Sequence, residues 1–379
     1  MSVSGRCRQK VISNSWCKGA HGLLLIALLS FKGNYFLHAE LRYEQGFRSC
    51  GSEEEAFRSP PPPLRRCLSR EMFSRRFQSF GGAGRMLQFF SYLINGISLG
   101  SVYAIIALGY SMVYGIAKML NFAHGDVIMI GAYIAFCATQ YWGMSPLLGV
   151  LIAMIVCTVL GMVIERLAYK PLRQATSLAV LITAIGVSYL LQNVALLVFG
   201  PNPMSFPSFI SIPSISLFDG QLILTGETIV TVLANIIIML VLTFFTAHTK
   251  MGKAMRAVSE DRSAAELMGI KVNATISLTF AIGSALAAIA GVLLCSTYHT
   301  LMPTTGSMPG IKAFTAAVFG GIGSIPGALL GGLLLGIIEI LGKAYVSMEL
   351  GDALVFAVLI IVLLVKPTGL LGKPMREKV

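Results

Sequence analysis

The chain has 379 residues, 55% hydrophobic and 12% charged, with 39 glycines, a balance that excludes a soluble globular domain of this size. Its formal net charge of +12 resembles that of a nucleic-acid binder until it is divided by region. Residues 1–85 hold 14 Lys/Arg and 6 Asp/Glu (+8) and residues 86–379 hold 15 and 11 (+4), and a small basic excess is what cytoplasmic loops of a membrane body supply, with no nucleic-acid motif beside it.

Residues 1–85 are Arg-rich, with a proline run at Pro60 to Pro63, a glutamate triplet at Glu53 to Glu55 and no sustained periodicity, so they are expected to be disordered. The apolar patch Gly22 to Phe31 follows Arg6, Arg8, Lys10 and Lys18 in the manner of a signal peptide, but no small-x-small cleavage site comes after it. The expectation is a non-native upstream extension of a protein starting at Met86, with a processed leader as the alternative.

From Met86 onward, apolar windows free of Asp, Glu, Lys and Arg follow one another: Met86 to Ala117, Val127 to Ile164, Leu178 to Phe199, Thr228 to Ala247, Ala274 to Thr297 and Ala313 to Ile338. A bilayer core about 30 Å thick needs roughly 20 such residues per helix. Backbone amides in lipid are satisfied only in helices or closed barrels, and barrels show short alternating segments instead. The fold class is therefore an all-α polytopic membrane protein, a bundle of about eight (seven to ten) transmembrane helices. Cys137, Cys157 and Cys295 lie within these apolar helices and form no CxxC pair, which points to small hydrophobes and to no metal site.

Sidedness follows from the loops. Glu165 to Ser177 carries Arg166, Lys170 and Arg173, and His248 to Asn273 carries five basic residues, so both are predicted to be cytoplasmic. Gly200 to Glu227, without Lys or Arg, is predicted to face outward. The basic C-terminus (Lys366, Lys373, Arg376, Lys378) requires an even number of crossings after Asn273, whereas hydropathy gives three. The middle one, 313–342, contains Gly320, Gly321, Gly323, Pro326 and Gly327, and a break there restores parity. Such a break is a candidate substrate pathway, and close helix packing by small residues is the alternative. Asp126, preceded by Asn121 and His124, is a second pathway candidate because an intramembrane ionisable group is functional by default; the alternative is a helix cap near the interface. Glu339 is expected at the interface.

The loop His248 to Asn273 holds 8 of the 26 charges of residues 86–379, and they are patterned. Asp261 followed by Arg262-Ser263-Ala264-Ala265-Glu266-Leu267-Met268 and Gly269 predicts a two-turn helix with Asp261 as N-cap and Gly269 just past its end. Met251, Ala254, Met255 and Val258 recur upstream at helical spacing. A short capped helix with an apolar face suits a partner's groove, and an amphipathic connector on the lipid surface is the alternative.

At this point the pattern Asp261-x-x-x-Ala265-x-x-x-Gly269-Ile270 resembles the coupling helix that permeases of ABC importers insert into their ATPase subunits. Leu93-Ile94-Asn95-Gly96 through Ala107-Leu108-Gly109-Tyr110, Leu120 to Asp126, Lys312 to Val318, Gly320-Gly321-Ile322-Gly323-Ser324 and Lys366 to Gly372 all resemble the LivH-type permease family of branched-chain amino-acid transport, from Met86 to the C-terminus. The resemblance implies a permease domain over 86–379 with its coupling loop at 248–273, in which Asp261, Arg262, Ala265, Glu266 and Gly269 meet the ATPase. It implies a multi-pass protein of the cell (inner or plasma) membrane that moves leucine, isoleucine and valine, or urea, short amides or other amino acids through the same machinery. The implied partners are a second homologous permease subunit, two cytoplasmic ATP-binding subunits and an extracytoplasmic substrate-binding protein. ATP is expected on those partners, with no cofactor and no enzymatic site on this chain, in keeping with the lack of a G-x-x-x-x-G-K-[ST] phosphate loop; Gly369 to Pro374 comes closest and fails. An ion-coupled secondary transporter and a passive channel are the rival classes. The first calls for inverted repeats and ion-binding carboxylates, where only Asp126 stands out; the second has no use for a capped cytoplasmic helix.

Overall fold

The structure, a computed structural model, describes residues 82–209, 213–217 and 222–372. The expected upstream extension, apart from the backbone at 82–85, and the basic tail beyond Gly372 lie outside these residues.

Nine apolar helices and two short amphipathic ones follow each other among the described residues. They are α1 (Gly82–Ala117), α2 (His124–Gln140), α3 (Pro146–Ile164), α4 (Ser177–Phe199) and α5 (Gly226–His248), then the amphipathic α6 (Lys250–Glu260) and α7 (Arg262–Leu267), then α8 (Val272–Tyr298), α9 (Ser307–Gly320), α10 (Ile325–Tyr345) and α11 (Gly351–Val365). Six of the apolar helices are long enough to cross a membrane. The others are shorter; α9, with 14 residues, reaches only about 21 Å at 1.5 Å per residue. Short antiparallel pairings, β1 (Met204–Ser205) with β4 (Thr300–Leu301) and β2 (Ile215–Leu217) with β3 (Leu222–Leu224), tie down the loop between α4 and α5.

The expected break in 313–342 is present, and it divides the segment into two antiparallel helices. Gly321 and Gly323 adopt φ of +105° and +90°, a region closed to most side chains, and Ser324 caps α10 by accepting the Gly327 N–H at 3.2 Å. The N–H groups of Leu370 and Leu371 donate to Phe319 and Gly320 O at 2.9 and 3.0 Å. The segment after α11 therefore returns to the end of the bundle where α9 ends and α10 begins, as the parity of basic residues requires. At the opposite end, Tyr345 at the end of α10 meets Tyr92 near the start of α1 edge to face, 6.0 Å between centroids.

One expectation about this segment is corrected. The first half begins at Ser307, six residues before the apolar window, because Lys312 lies inside α9 and is buried. Hydropathy counts a charge as a boundary, and in the fold Lys312 is neutralised by Glu339, itself 1% exposed.

The packing seam of the fold runs between α1 and α10. Gly96, Gly100 and Ala104 recur every fourth residue on α1, facing Gly332 and Gly336 on α10. A Cβ at Gly336 would stand 2.2 Å from Gly100 N, and one at Gly332 2.4 Å from Ala104 Cα. Where lipid is as apolar as leucine, such close backbone approach supplies the attraction that hydrophobic burial cannot. α1 is almost wholly buried from Leu99 to Ala117, while α3, α4 and α5 leave most of their apolar surface exposed.

Candidate functional site

The charged loop forms two helices. Thr249 caps α6 by accepting the Gly252 N–H at 3.0 Å, and Met255 and Val258 turn inward. Asp261 caps α7: its Oδ1 accepts the N–H groups of Ser263 and Ala264 at 2.9 and 3.1 Å. Gly269 ends the turn at φ +81°. Ala265 is buried, whereas Glu266, Leu267 and Met268 project outward, with Leu267 89% and Met268 82% exposed. Two large apolar side chains held out at the tip of a rigid turn form a ready contact for a partner.

The base of this turn is fastened to the bundle. The Arg262 guanidinium donates to the main-chain oxygen of Ala117, the last residue of α1, one of the carbonyls a helix end leaves unpaired. Burial, and then the neighbouring Arg173 charge, lower the Arg262 pKa, so this carbonyl offsets part of the desolvation of the guanidinium. Arg173 donates to Glu165 and Asn273, and Ser277 donates to Glu165 at 2.7 Å. Glu165 is 1% exposed, and this network clasps the end of α3 to the start of α8.

After Ala117 the chain turns at Lys118, whose φ of +53° is left-handed, and re-enters the bundle before α2 begins. Asn121 is fixed there by Tyr169 OH, which donates to its Oδ1 at 2.8 Å. A narrow crevice of about 10 Å³, room for about one water molecule, lies between this re-entrant segment, α1 and α9, lined by Tyr110, Tyr114, Met119, Asn121, Phe314 and Ile322 among others.

The pathway candidates separate around this crevice. Asn121 lines it. His124 lies edge-on to the crevice residue Tyr110, 4.7 Å between centroids, with its Nε2 buried and unpartnered among the described residues. Asp126 does not cap α2, whose N-cap position is held by Ala123. It accepts from Ser188, and from Gln192 at 2.9 Å, both on α4. Gln192 also donates to Ser307 at the start of α9, at 3.1 Å. Gly320 and Gly321 are occupied by close packing: added Cβ atoms would stand 1.9 Å from Gly327 O and 2.3 Å from Gly372 N. Gly323 N–H donates to Ser111 Oγ of α1 at 2.9 Å.

Sequence reasoning missed one cluster. Lys312 Nζ contacts Glu339 Oε1 at 2.8 Å and Asp352 Oδ1 at 2.6 Å, Lys343 Nζ contacts the same Glu339 oxygen at 2.5 Å, and Tyr103 OH donates to Glu339 Oε2 at 2.9 Å. Two cations and two anions from α9, α10 and α11 thus balance around a buried carboxylate. The legible signal was the i,i+4 pair Glu339 and Lys343 on one helix face.

Comparison with known proteins decides the family. The sequence profile of the family described as "Branched-chain amino acid transport system / permease component" matches residues 92–363. The chain belongs to this family. It is 47% identical over 313 residues to the protein named "High-affinity branched-chain amino acid transport system permease protein LivH" of Salmonella typhimurium, covering 78% of this chain and 99% of that one. The correspondingly named BraD of Pseudomonas aeruginosa is 45% identical over 299 residues, covering 76% and 97%. A "probable branched-chain amino acid transport permease protein LivH" of Methanocaldococcus jannaschii is 31% identical over 296 residues, covering 74% and 91%. This family member is an all-α, multi-pass membrane permease.

Proposed function

We propose that the chain is one membrane-spanning subunit of an ATP-driven importer that carries leucine, isoleucine and valine inward across the cell membrane. The observation that carries this reading is the 47% identity spread over 99% of a permease named for that transport. The subunit works with a second, homologous permease, two cytoplasmic ATP-binding subunits and an extracytoplasmic protein that delivers the amino acid. ATP is bound by the partners, and this chain performs no chemistry of its own.

The exposed Leu267 and Met268 at the tip of α7 suit insertion into an ATP-binding subunit. Closure of the ATPase pair around ATP displaces α7, and Arg262 passes the displacement to the end of α1 and to the re-entrant segment beyond it. The ligand-bound ATPase favours one of two bundle arrangements by binding it more tightly, which is all that a population shift requires.

Uptake of labelled leucine, isoleucine and valine, with urea as competitor, in cells with and without the gene tests this function. Gene-dependent uptake of the three amino acids, untouched by urea, is expected. Gene-dependent uptake of urea or short amides in their place overturns the substrate, and transport by the chain alone in ATP-free liposomes overturns the importer.

A further inference from the structure

We infer that the exposed face of α4 carrying Ile182, Gly186, Tyr189, Asn193 and Leu197 packs inside the bilayer against a transmembrane helix of the second permease subunit. The choice of partner rests on the function proposed above; the choice of face rests on α4 itself.

Helix α4 is a membrane span of 23 residues, and its larger polar residues fall into two sets. Ser188 and Gln192 turn inward to Asp126. Tyr189 and Asn193 turn outward, the tyrosine 62% exposed. They stand one and five residues past the midpoint of α4, which at 1.5 Å per residue is about 2 and 8 Å from it, well inside the roughly 15 Å half-thickness of a bilayer core. Among the described residues the Asn193 amide donates to the Tyr189 carbonyl of its own helix at 2.7 Å, while its oxygen and the Tyr189 hydroxyl have no protein partner. Hydrocarbon offers neither group a hydrogen bond, so a lipid-facing position leaves both desolvated and unpaired. Tyrosines that face lipid collect at the membrane–water interface, where the hydroxyl stays wet, and Tyr189 is far from it. Neighbouring spans keep to the lipid rule: α3 shows Leu151, Ile155 and Val159 to the outside, and α5 turns its Asn235 inward, 2% exposed. The outward face of α4 is therefore covered by something that hydrogen-bonds at membrane depth.

The face has the form of a helix seam. Its exposed residues follow one another at spacings of four, three, four and four from Ile182 to Leu197, the alternation along which two helices interlock. A methyl group added at Gly186 would meet nothing within 4 Å, so the middle of the seam is open to a side chain from outside, and Asn193 two turns on supplies an interhelical hydrogen bond. Of the partners proposed above, the ATP-binding subunits and the delivery protein stand on either side of the membrane and do not reach the depth of Tyr189. The second permease does.

The test uses the intact transporter, with both permeases, the ATP-binding subunits and the delivery protein, in its native membrane. A benzophenone side chain placed at Tyr189 or at Leu197, itself 85% exposed, is expected to crosslink to the second permease on illumination. One placed at Ile155 on α3 is expected to give lipid adducts instead. Asn193→Leu is expected to lower the amount of second permease recovered with this chain by about threefold, the worth of one interhelical hydrogen bond; on a lipid-facing helix the same change leaves recovery unchanged or raises it. Gly186→Leu is expected to lower recovery as well, with the melting temperature of this chain alone unchanged, because the added side chain starts in space free of the chain's own atoms. Lipid adducts from both Tyr189 and Leu197, crosslinks from them to a second copy of this chain, or full recovery in both leucine variants overturn the inference. A purified transporter that contains no second permease overturns the pairing proposed above, and this inference with it. One that contains the second permease but crosslinks to it from Ile155 alone overturns this inference and leaves the pairing standing.

Discussion

The guanidinium of Arg262, in the first turn of α7, donates to the main-chain oxygen of Ala117, 145 residues earlier at the end of α1. It is the direct bond between the turn offered to a partner and the most deeply buried helix of the bundle. A hydrogen bond from a charged group contributes about 1.5–3 kcal/mol. Arg262→Ala is therefore expected to lower uptake by at least tenfold while the transporter still assembles and hydrolyses ATP, so ATP consumed per amino acid rises. An unchanged ratio in proteoliposomes would show that coupling travels elsewhere.

The cap of α7 gives a second handle. Asp261→Ala removes the acceptor for two N–H groups, a loss of about 1 kcal/mol to a helix of two turns. Uptake is expected to fall several-fold with the melting temperature of the membrane bundle unchanged, and Asp261→Asn, which keeps a capping oxygen, is expected to retain most of it. Gly269→Pro and Glu266→Lys are expected to uncouple uptake in the same way.

The cluster around Glu339 answers to charge balance. Glu339→Leu leaves Lys312 and Lys343 with Asp352 as their shared anion, and breaking a buried pair from one side costs about 3–5 kcal/mol. A clear drop in the melting temperature of the detergent-solubilised protein is expected. Lys312→Met combined with Glu339→Leu removes one charge of each sign and leaves Lys343 facing Asp352, so the double variant is expected to recover most of the loss. A double variant no more stable than the single one would sink this account.

Asp126 fastens α4, a helix with only Val180, Ala184 and Ala195 buried. Asp126→Ala is expected to speed amide hydrogen exchange in α4 by about tenfold, from the loss of one or two hydrogen bonds, with α1 and α10 unaffected. Equal exchange in the variant and the wild type, measured in lipid nanodiscs, counts against the fastening role.

Two helical glycines separate packing from propensity. A methyl group added at Gly186 on α4 would meet nothing within 4 Å, while one at Gly336 would stand 2.2 Å from Gly100 N. Gly186→Ala is expected to leave expression intact, with a gain of up to about 1 kcal/mol in helix propensity. Gly336→Ala is expected to lower the yield of folded protein sharply.

The capped turn from Asp261 to Gly269 was legible because its signals are local: Asp261, Gly269 and the apolar residues between them fall within nine positions. The break at Gly321 to Ser324 was legible through charge parity, although its glycines turned out to serve both the turn and the packing. The partners of Asp126 were not legible, since Ser188 and Gln192 lie 62 and 66 residues away on a helix whose own pattern is predominantly apolar. Lys312 was misplaced, and its pairing with Glu339 missed, for a related reason. Hydropathy treats a charge as the edge of a helix, and only the fold reveals that two such edges coincide. The residues of the crevice were invisible one by one, because a tyrosine or isoleucine beside an empty space has the same sequence signature as one in a filled core.

The seam between α1 and α10 leaves no room for a methyl group at Gly332 or Gly336. Helices interlocked so tightly cannot slide past each other without steric collision, so they tilt as one beam. α10 alone, with 21 residues, extends about 31 Å. A displacement applied to Ala117 at one end would thus be felt at Tyr345 and the Glu339 ion cluster at the other.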